Sequence, residues 1–156
     1  MRKSKAKPRQ RQPDSKFNNT IVTFFVNNLM LGGKKSTAFK IFYDSLELIT
    51  EKTKDKDGFA VWKKALENVM PDVEVKSRRI GGATFQIPTP VSEKRKLSLG
   101  TKWIIKHARG RKGKHMKTKL ADELIAASNE EGSAFKKKVD THKMAEANKA
   151  FSHFRF

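Results

Sequence analysis

Cysteine is absent from all 156 residues, which excludes disulfides and thiolate-held metals. Apolar runs are only a few residues long, as in Phe24-Phe25-Val26, far short of the roughly 20 residues a membrane-spanning helix needs. The histidines His107, His115, His142 and His153 share no HxxxH or HExxH spacing. They read as surface or packed side chains rather than metal ligands. Acids are scarce, 16 against 35 Lys and Arg. Those present, such as Asp122-Glu123 and Glu130-Glu131, are chain neighbours rather than a catalytic constellation. Gly33-Lys34-Lys35-Ser36 resembles a fragment of a phosphate-binding loop. However, Asn28 stands where the first glycine belongs, and Lys35 intrudes before Ser36. No Ser/His/Asp set stands at a specific spacing. Nothing here asks for an enzyme, a cofactor or a metal.

What remains is positive charge. The net charge of +19 opposes compaction unless a polyanion is bound. The charge is also segregated. Ser36 to Met70 balances six Lys with six acids, whereas Lys94 to Ala121 carries eleven cations and no acid. A merely solvated face has no reason to exclude every acid over two helices and a loop, so this stretch reads as shaped for phosphates. Residues 1–16 hold seven Lys/Arg and one acid, Asp14, with Pro8 and Pro13 discouraging helix. This is expected to be a flexible basic arm that orders on an anion. It has neither the apolar h-region of a secretory signal nor the apolar face of an organelle transit peptide. The expected setting is a bacterial-type cytoplasm rather than an organelle. Lys136, Lys137, Lys138 and Lys143 form another basic zone. With the hairpin below there are four, which suits a folded RNA better than one duplex groove.

Periodicity predicts a mainly α protein. Asn18 or Asn19 caps a first helix carrying Ile21, Val22, Phe25, Leu29 and Met30, and Gly32-Gly33 stops it. Ser36 caps a second, with Phe39, Phe42, Leu46 and Ile49 in its stripe. After the polar break 52–58, a third carries Phe59, Trp62, Leu66 and Val69, and ends at Pro71. A fourth is expected over about 92–107, with Leu97, Trp103, Ile104 and Ala108 on its apolar side. A fifth is expected over about 116–128, and a sixth, capped by Ser133, with Phe135, Val139, His142 and Ala145. Trp62 and Trp103 lie on these stripes and are expected to pack in the core. The end of the chain is too short and mixed to assign.

Only VEVKSRRIGGATFQIP, residues 73–88, reads as paired strands. Val73, Val75, Ile80, Phe85 and Ile87 supply strand-favouring side chains. Gly81-Gly82 supplies a positive-φ turn. Lys76, Arg78 and Arg79 precede it, and Pro88 and Pro90 are expected to end the ladder. The predicted architecture is a bundle of about six helices with a two-stranded β-ribbon arm, 72–90, between the third and fourth. Residues 17–156 are expected to form one domain, closing with a tail at 148–156.

KFNNTIVTFFVNNLMLGGKKS, VEVKSRRIGGATFQIP and KKKVDTHKMAEANKAFSHFRF together closely resemble the bacterial-type small-subunit ribosomal protein seven family, from about Pro13 to Phe156. The resemblance implies the same fold of six helices with an inserted ribbon. It also implies a non-catalytic protein that binds the 3′ major (head) domain of 16S-type rRNA at a junction of RNA helices and nucleates head assembly. Members sit near the subunit interface, the exit-site tRNA and the mRNA exit path, beside the ninth and eleventh small-subunit proteins. Some also repress their own operon mRNA.

Carried onto this chain, the resemblance implies rRNA contacts from Arg2, Lys3, Lys5, Arg9, Arg11, Lys34, Lys35, Lys76, Arg78 and Arg79. It adds Lys94, Arg95, Arg109, Arg111, Lys112, Lys114, Lys136, Lys137 and Lys138. The ribbon tip Arg79, Ile80, Gly81, Gly82 and Ala83 is the implied tRNA- and mRNA-side element. Asn148, Phe151, Phe154, Arg155 and Phe156 are the implied contacts to neighbouring protein. The chain departs from the family pattern at Ser92-Glu93, where Arg-Pro is frequent, and at Gly100, where Ala is usual. It has Lys rather than Arg at Lys102, Lys138 and Lys143, and ends Phe154-Arg155-Phe156 rather than Tyr-Arg-Trp. Composition alone would also fit a general nucleic-acid condenser, which would discriminate weakly among RNAs. A basic nuclease or NTPase lacks the carboxylates and the phosphate loop.

Overall fold

A computed structural model describes residues 10–53, 57–113 and 115–154. The helices are α1 (Thr20–Leu29), α2 (Lys35–Thr53), α3 (Gly58–Val69), α4 (Glu93–Gly110), α5 (Met116–Ser128) and α6 (Gly132–Ala147). The strands β1 (Val73–Ile80) and β2 (Ala83–Pro90) lie between α3 and α4, and a 3₁₀ turn (Lys149–Phe154) follows α6. The protein is therefore mainly helical with one inserted antiparallel hairpin, as the periodicity predicts.

The core explains the order of the helices. α5 packs against α2, α3, α4 and α6. It buries Leu120, Ala121, Leu124 and Ala127, and the alanines let neighbouring backbones approach. Trp62, 1% exposed, meets Phe25 and Phe42 edge-on, with ring centroids 5.8 and 5.5 Å apart. Such edge-to-face pairs add to the burial of apolar area. Trp62 is thus a core residue, and Trp103 packs against the same core while partly buried. Gly100 also has a packing reason. A Cβ there would lie 3.0 Å from Met70 Cγ and 3.5 Å from Leu66 Cδ1, so the glycine lets α4 approach the end of α3.

Four local expectations need correction. Asn19 caps α1, its side chain accepting from the Ile21 N–H, but Gly32-Gly33 is not the helix stop. The helix ends at Leu29, and the glycines, φ +57° and +73°, form a separate turn in which the Lys34 N–H donates to the Leu31 carbonyl at 3.1 Å. Ser36 does not cap α2, which already begins at Lys35. Ser133 does not cap α6 either: Glu131 occupies the cap position without a side-chain bond. A distant carboxylate serves instead, as the Ala134 N–H donates to Glu123 Oε1 at 2.9 Å. Finally, Pro88 does not end the ladder: it pairs with Val75, and the strand runs on to Pro90, its last residue, opposite Val73. The Val91 N–H donates to the Asp72 carbonyl at 3.0 Å, so hydrogen-bonded pairs fall on the even residues of β1. Both prolines then sit at the alternate positions, where no N–H is required.

Candidate nucleic-acid interface

The cations divide into those the fold uses and those it leaves to solvent. Arg95 opens α4 and reaches back to the ribbon base. Its Nε lies 2.8 Å from both carboxylate oxygens of Glu74, and a second guanidinium nitrogen lies 2.7 Å from Oε2. Glu74 is 8% exposed, and the hydrogen bond from Arg95 holds its carboxyl below the usual range against the opposing effect of burial. Lys76 adds a longer bridge to Glu74, 3.4 Å. Lys96 bridges Asp72 at 2.7 Å and Glu93 at 3.1 Å. Its hydrogen bond lowers the Asp72 carboxyl. The ribbon is therefore clamped to α4 at its base by two charge-assisted contacts.

Arg111, at the end of α4, donates from Nε to Glu123 Oε2 at 2.5 Å. Glu123 is fully buried in α5, so this one carboxylate ties the α4–α5 loop to the α6 N-terminus. Arg109 donates to the Leu29 carbonyl at 3.1 Å, filling an acceptor left open at the C-terminal end of α1. Lys138 does the same for α3, donating to the Asn68 carbonyl at 2.8 Å. Arg78 donates to the Phe154 carbonyl at 3.0 Å. Phe85, which pairs with Arg78 across the ribbon, has its ring 5.2 Å from Phe151 and 5.7 Å from Phe154. The C-terminal turn thus folds onto the ribbon, so Phe151 and Phe154 make contacts within the chain. Asn148 caps α6, donating to the Met144 carbonyl at 2.7 Å.

Among the described residues, others are exposed with no ion pair or side-chain hydrogen bond, including Lys34, Arg79, Lys94, Lys102, Lys106, Lys112, Lys136 and Lys137. Lys35 is exposed, with Nζ 5.8 Å from the Phe39 ring centroid. Arg11 lies over the Phe24 ring at 4.4 Å, a cation–π contact. It is followed by an anchor: Asp14, 4% exposed, accepts from the N–H groups of Lys16, Phe17 and Asn19 and from the Tyr43 hydroxyl. Burial raises its carboxyl, but these donors outweigh burial and hold it below the ordinary value. Arg2, Lys3, Lys5, Arg9, Lys114, Arg155 and Phe156 lie outside the described residues.

Two grooves meet at Arg109. One, about 360 Å³, is lined by Asn28, Lys102, Ile105, Lys106 and Arg109. The other, about 300 Å³, lies among the α1–α2 turn, α2, the end of α4 and the start of α5, and is lined by Lys34 as well as Arg109. Lys102 and Lys106 were not among the sequence-derived contact residues. Their spacing with Arg109, four and then three residues, is a helical-face signal that could have found them. At the ribbon tip, Ile80 pairs with Ala83 around Gly81 and Gly82, φ +57° and +89°. That is the two-residue turn matched to strand twist, with Arg79 beside it. Among the described residues no group of three or more His, Asp or Glu is placed to hold a metal ion. No described helix is long and apolar enough to cross a membrane.

The profile of the family described as Ribosomal protein S7p/S5e matches residues 1–149. The chain belongs to the ribosomal protein S7 family. It is 60% identical to "Small ribosomal subunit protein uS7" of Cytophaga hutchinsonii over 156 residues, and 59% identical to that of Flavobacterium psychrophilum over 158, all of both chains being covered in each case. The protein of the same name from Leptospira biflexa is 53% identical over 155 residues, 99% of this chain and 98% of that one. Within the S7 frame the clamped ribbon and the basic face of α4 are parts of one ribosomal protein, and the family is one of structural rather than catalytic components.

Proposed function

We propose that the chain is a structural, rRNA-binding constituent of the small ribosomal subunit. It holds the 3′ major domain of 16S-type rRNA at a helix junction and nucleates head assembly. The observation that carries this reading is the division of cations. Asp72, Glu74 and Glu123 are spent on pairs that hold the ribbon and loops, while among the described residues Lys34, Lys94, Lys102, Lys106, Lys112, Lys136 and Lys137 are exposed without an ion pair on several elements. A surface that binds phosphates needs cations without competing carboxylates.

In this reading Lys34, Lys35, Lys76, Arg79, Lys94, Lys112, Lys136 and Lys137 contact phosphates. Arg78, Arg95, Arg109, Arg111 and Lys138 contact RNA with whatever donors their internal bonds leave over, and chiefly fix the surface. The arm, residues 1–16, adds contacts from Arg2, Lys3, Lys5, Arg9 and Arg11, and Lys114 adds one from the α4–α5 loop. The tip, Arg79 to Ala83, faces exit-site tRNA and the mRNA exit path. The tail, Asn148 to Phe156, faces the ninth and eleventh small-subunit proteins with the surfaces that the ribbon leaves open. The setting is the cytoplasmic ribosome of a bacterial-type cell.

The test compares affinity for a 3′ major domain transcript with that for unrelated RNA of equal length, at about 0.15 M salt. A preference of about a hundredfold or more is expected, since specific sites exceed non-specific ones by such factors or more. Equal affinity would overturn the proposal in favour of a general RNA condenser.

A further inference from the structure

We infer that the apolar pocket formed by the α1–α2 turn, α2, Arg109 and Met116 receives a single unstacked nucleobase of the bound RNA, with the flanking phosphates on Lys34, Arg109 and the Lys102–Lys106 groove. This rests on the RNA-binding reading above and deepens it. The pocket is about 300 Å³, at the lower end of the roughly 300–1,000 Å³ that small-molecule sites occupy. Its apolar lining is Leu29, Leu31, Ala38, Ile41 and Met116. Leu31 is 67% exposed, so its side chain adds accessible apolar surface to the pocket.

The backbone builds that exposure. With Gly32 and Gly33 at positive φ, the turn closes through the Lys34 N–H and the Leu31 carbonyl and sets both side chains at the rim. Met116 brings a polarisable thioether, which contacts aromatic faces favourably. Arg109 lines this pocket and the neighbouring groove. No acid lines either one, unlike the groove at Lys16 and Lys40, which holds Asp44 and Glu47. An apolar slot beside an acid-free cationic track matches one covalent unit, a flat base joined to a phosphodiester. Sequence-specific RNA recognition takes bases from loops and junctions in this splayed form. An apolar side chain of a protein partner would fill the slot but leave the lysine track unused.

The test uses the full chain and a 3′ major domain transcript, with variants Leu31→Ser, Leu31→Phe and Lys106→Ala. Leu31 is exposed, so neither change at that position threatens folding. Leu31→Ser is expected to weaken binding about five- to tenfold, as loss of part of a stacking surface does, without changing the salt dependence. Leu31→Phe restores affinity. Lys106→Ala instead reduces the log–log salt slope by roughly 0.7, one single-strand phosphate contact. Zero-length ultraviolet crosslinking is expected to place a base on the peptide containing Leu31 or on Met116. The inference is overturned, and the RNA-binding reading survives, if Leu31→Ser binds as the parent does and no base crosslinks there. It is also overturned if Leu31→Ser matters only when other small-subunit proteins are present, which assigns the slot to a protein. If the parent fails to distinguish the transcript from unrelated RNA, both readings fall together.

Discussion

Arg111 and Lys112 are neighbours in one basic loop, and their tasks differ because of what lies beneath them. Arg111 answers the buried carboxylate of Glu123, whereas Lys112 is exposed and makes no ion pair among the described residues. Removing one partner of a buried pair leaves a charge without compensation. Arg111→Ala should therefore cost roughly 3 kcal/mol in urea unfolding. Lys112→Ala should leave stability within about 0.5 kcal/mol and weaken RNA binding. The equivalence of the two cations was all that the sequence could offer, since no local signal pairs Arg111 with a residue in the next helix. Asp14 was read as the lone acid of a basic arm. It is an anchor because four donors converge on it from residues 16–19 and from Tyr43. Its carboxyl is depressed on folding, so its contribution is present above the unfolded value of about 3.9 and is lost as pH falls through the lower folded value. Asp14→Asn should cost about 1–2 kcal/mol at neutral pH, and the difference from the parent should vanish in the most acid range, as unfolding at a series of pH values would reveal.

Elements were legible wherever periodicity was strong. The stripes of α2 and α3 and the limits of α5 follow from spacing, because their apolar residues face one core. Boundaries set by other parts of the chain were not legible. The start of α6 is capped by Glu123, and Pro88 and Pro90 stay in β2 because the register places them where no N–H is needed. Gly58 belongs to the same class. It looks like the end of a polar loop, yet a Cβ there would lie within 2.3 Å of the Leu46 carbonyl oxygen. Gly58→Ala should therefore separate α3 from α2 at a cost of about 1–3 kcal/mol, measured by thermal or urea unfolding. The ribbon is likewise held by other elements: Arg95 clamps its base and the C-terminal turn supports it at Phe85. Phe85→Ala should raise amide exchange along β1 and β2 with little change in α2 and α5, which share none of its contacts.

For the whole molecule, a net charge of +19 coexists with a modest core in which the most buried acids, Asp14, Glu74 and Glu123, are each met by internal donors. The four basic zones were visible as a charge pattern, but their division into framework and free surface was not. That division depends on which carboxylates and carbonyls the fold brings near each cation. It separates Arg95, Arg111 and Lys138, which hold helices and ribbon together, from Lys94, Lys102, Lys106 and Lys112, which make no ion pair or side-chain hydrogen bond among the described residues. The central claim is that this second set marks where a folded RNA lies. A chemical footprint of the full chain on purified small-subunit rRNA tests it most directly. The expected result is a compact set of protected nucleotides at one helix junction of the 3′ major domain, lost when Lys102, Lys106 and Lys112 are replaced together and retained, in the still-folded fraction, with Arg111→Ala. Diffuse protection along the RNA, or a compact footprint indifferent to the three lysines, would contradict it.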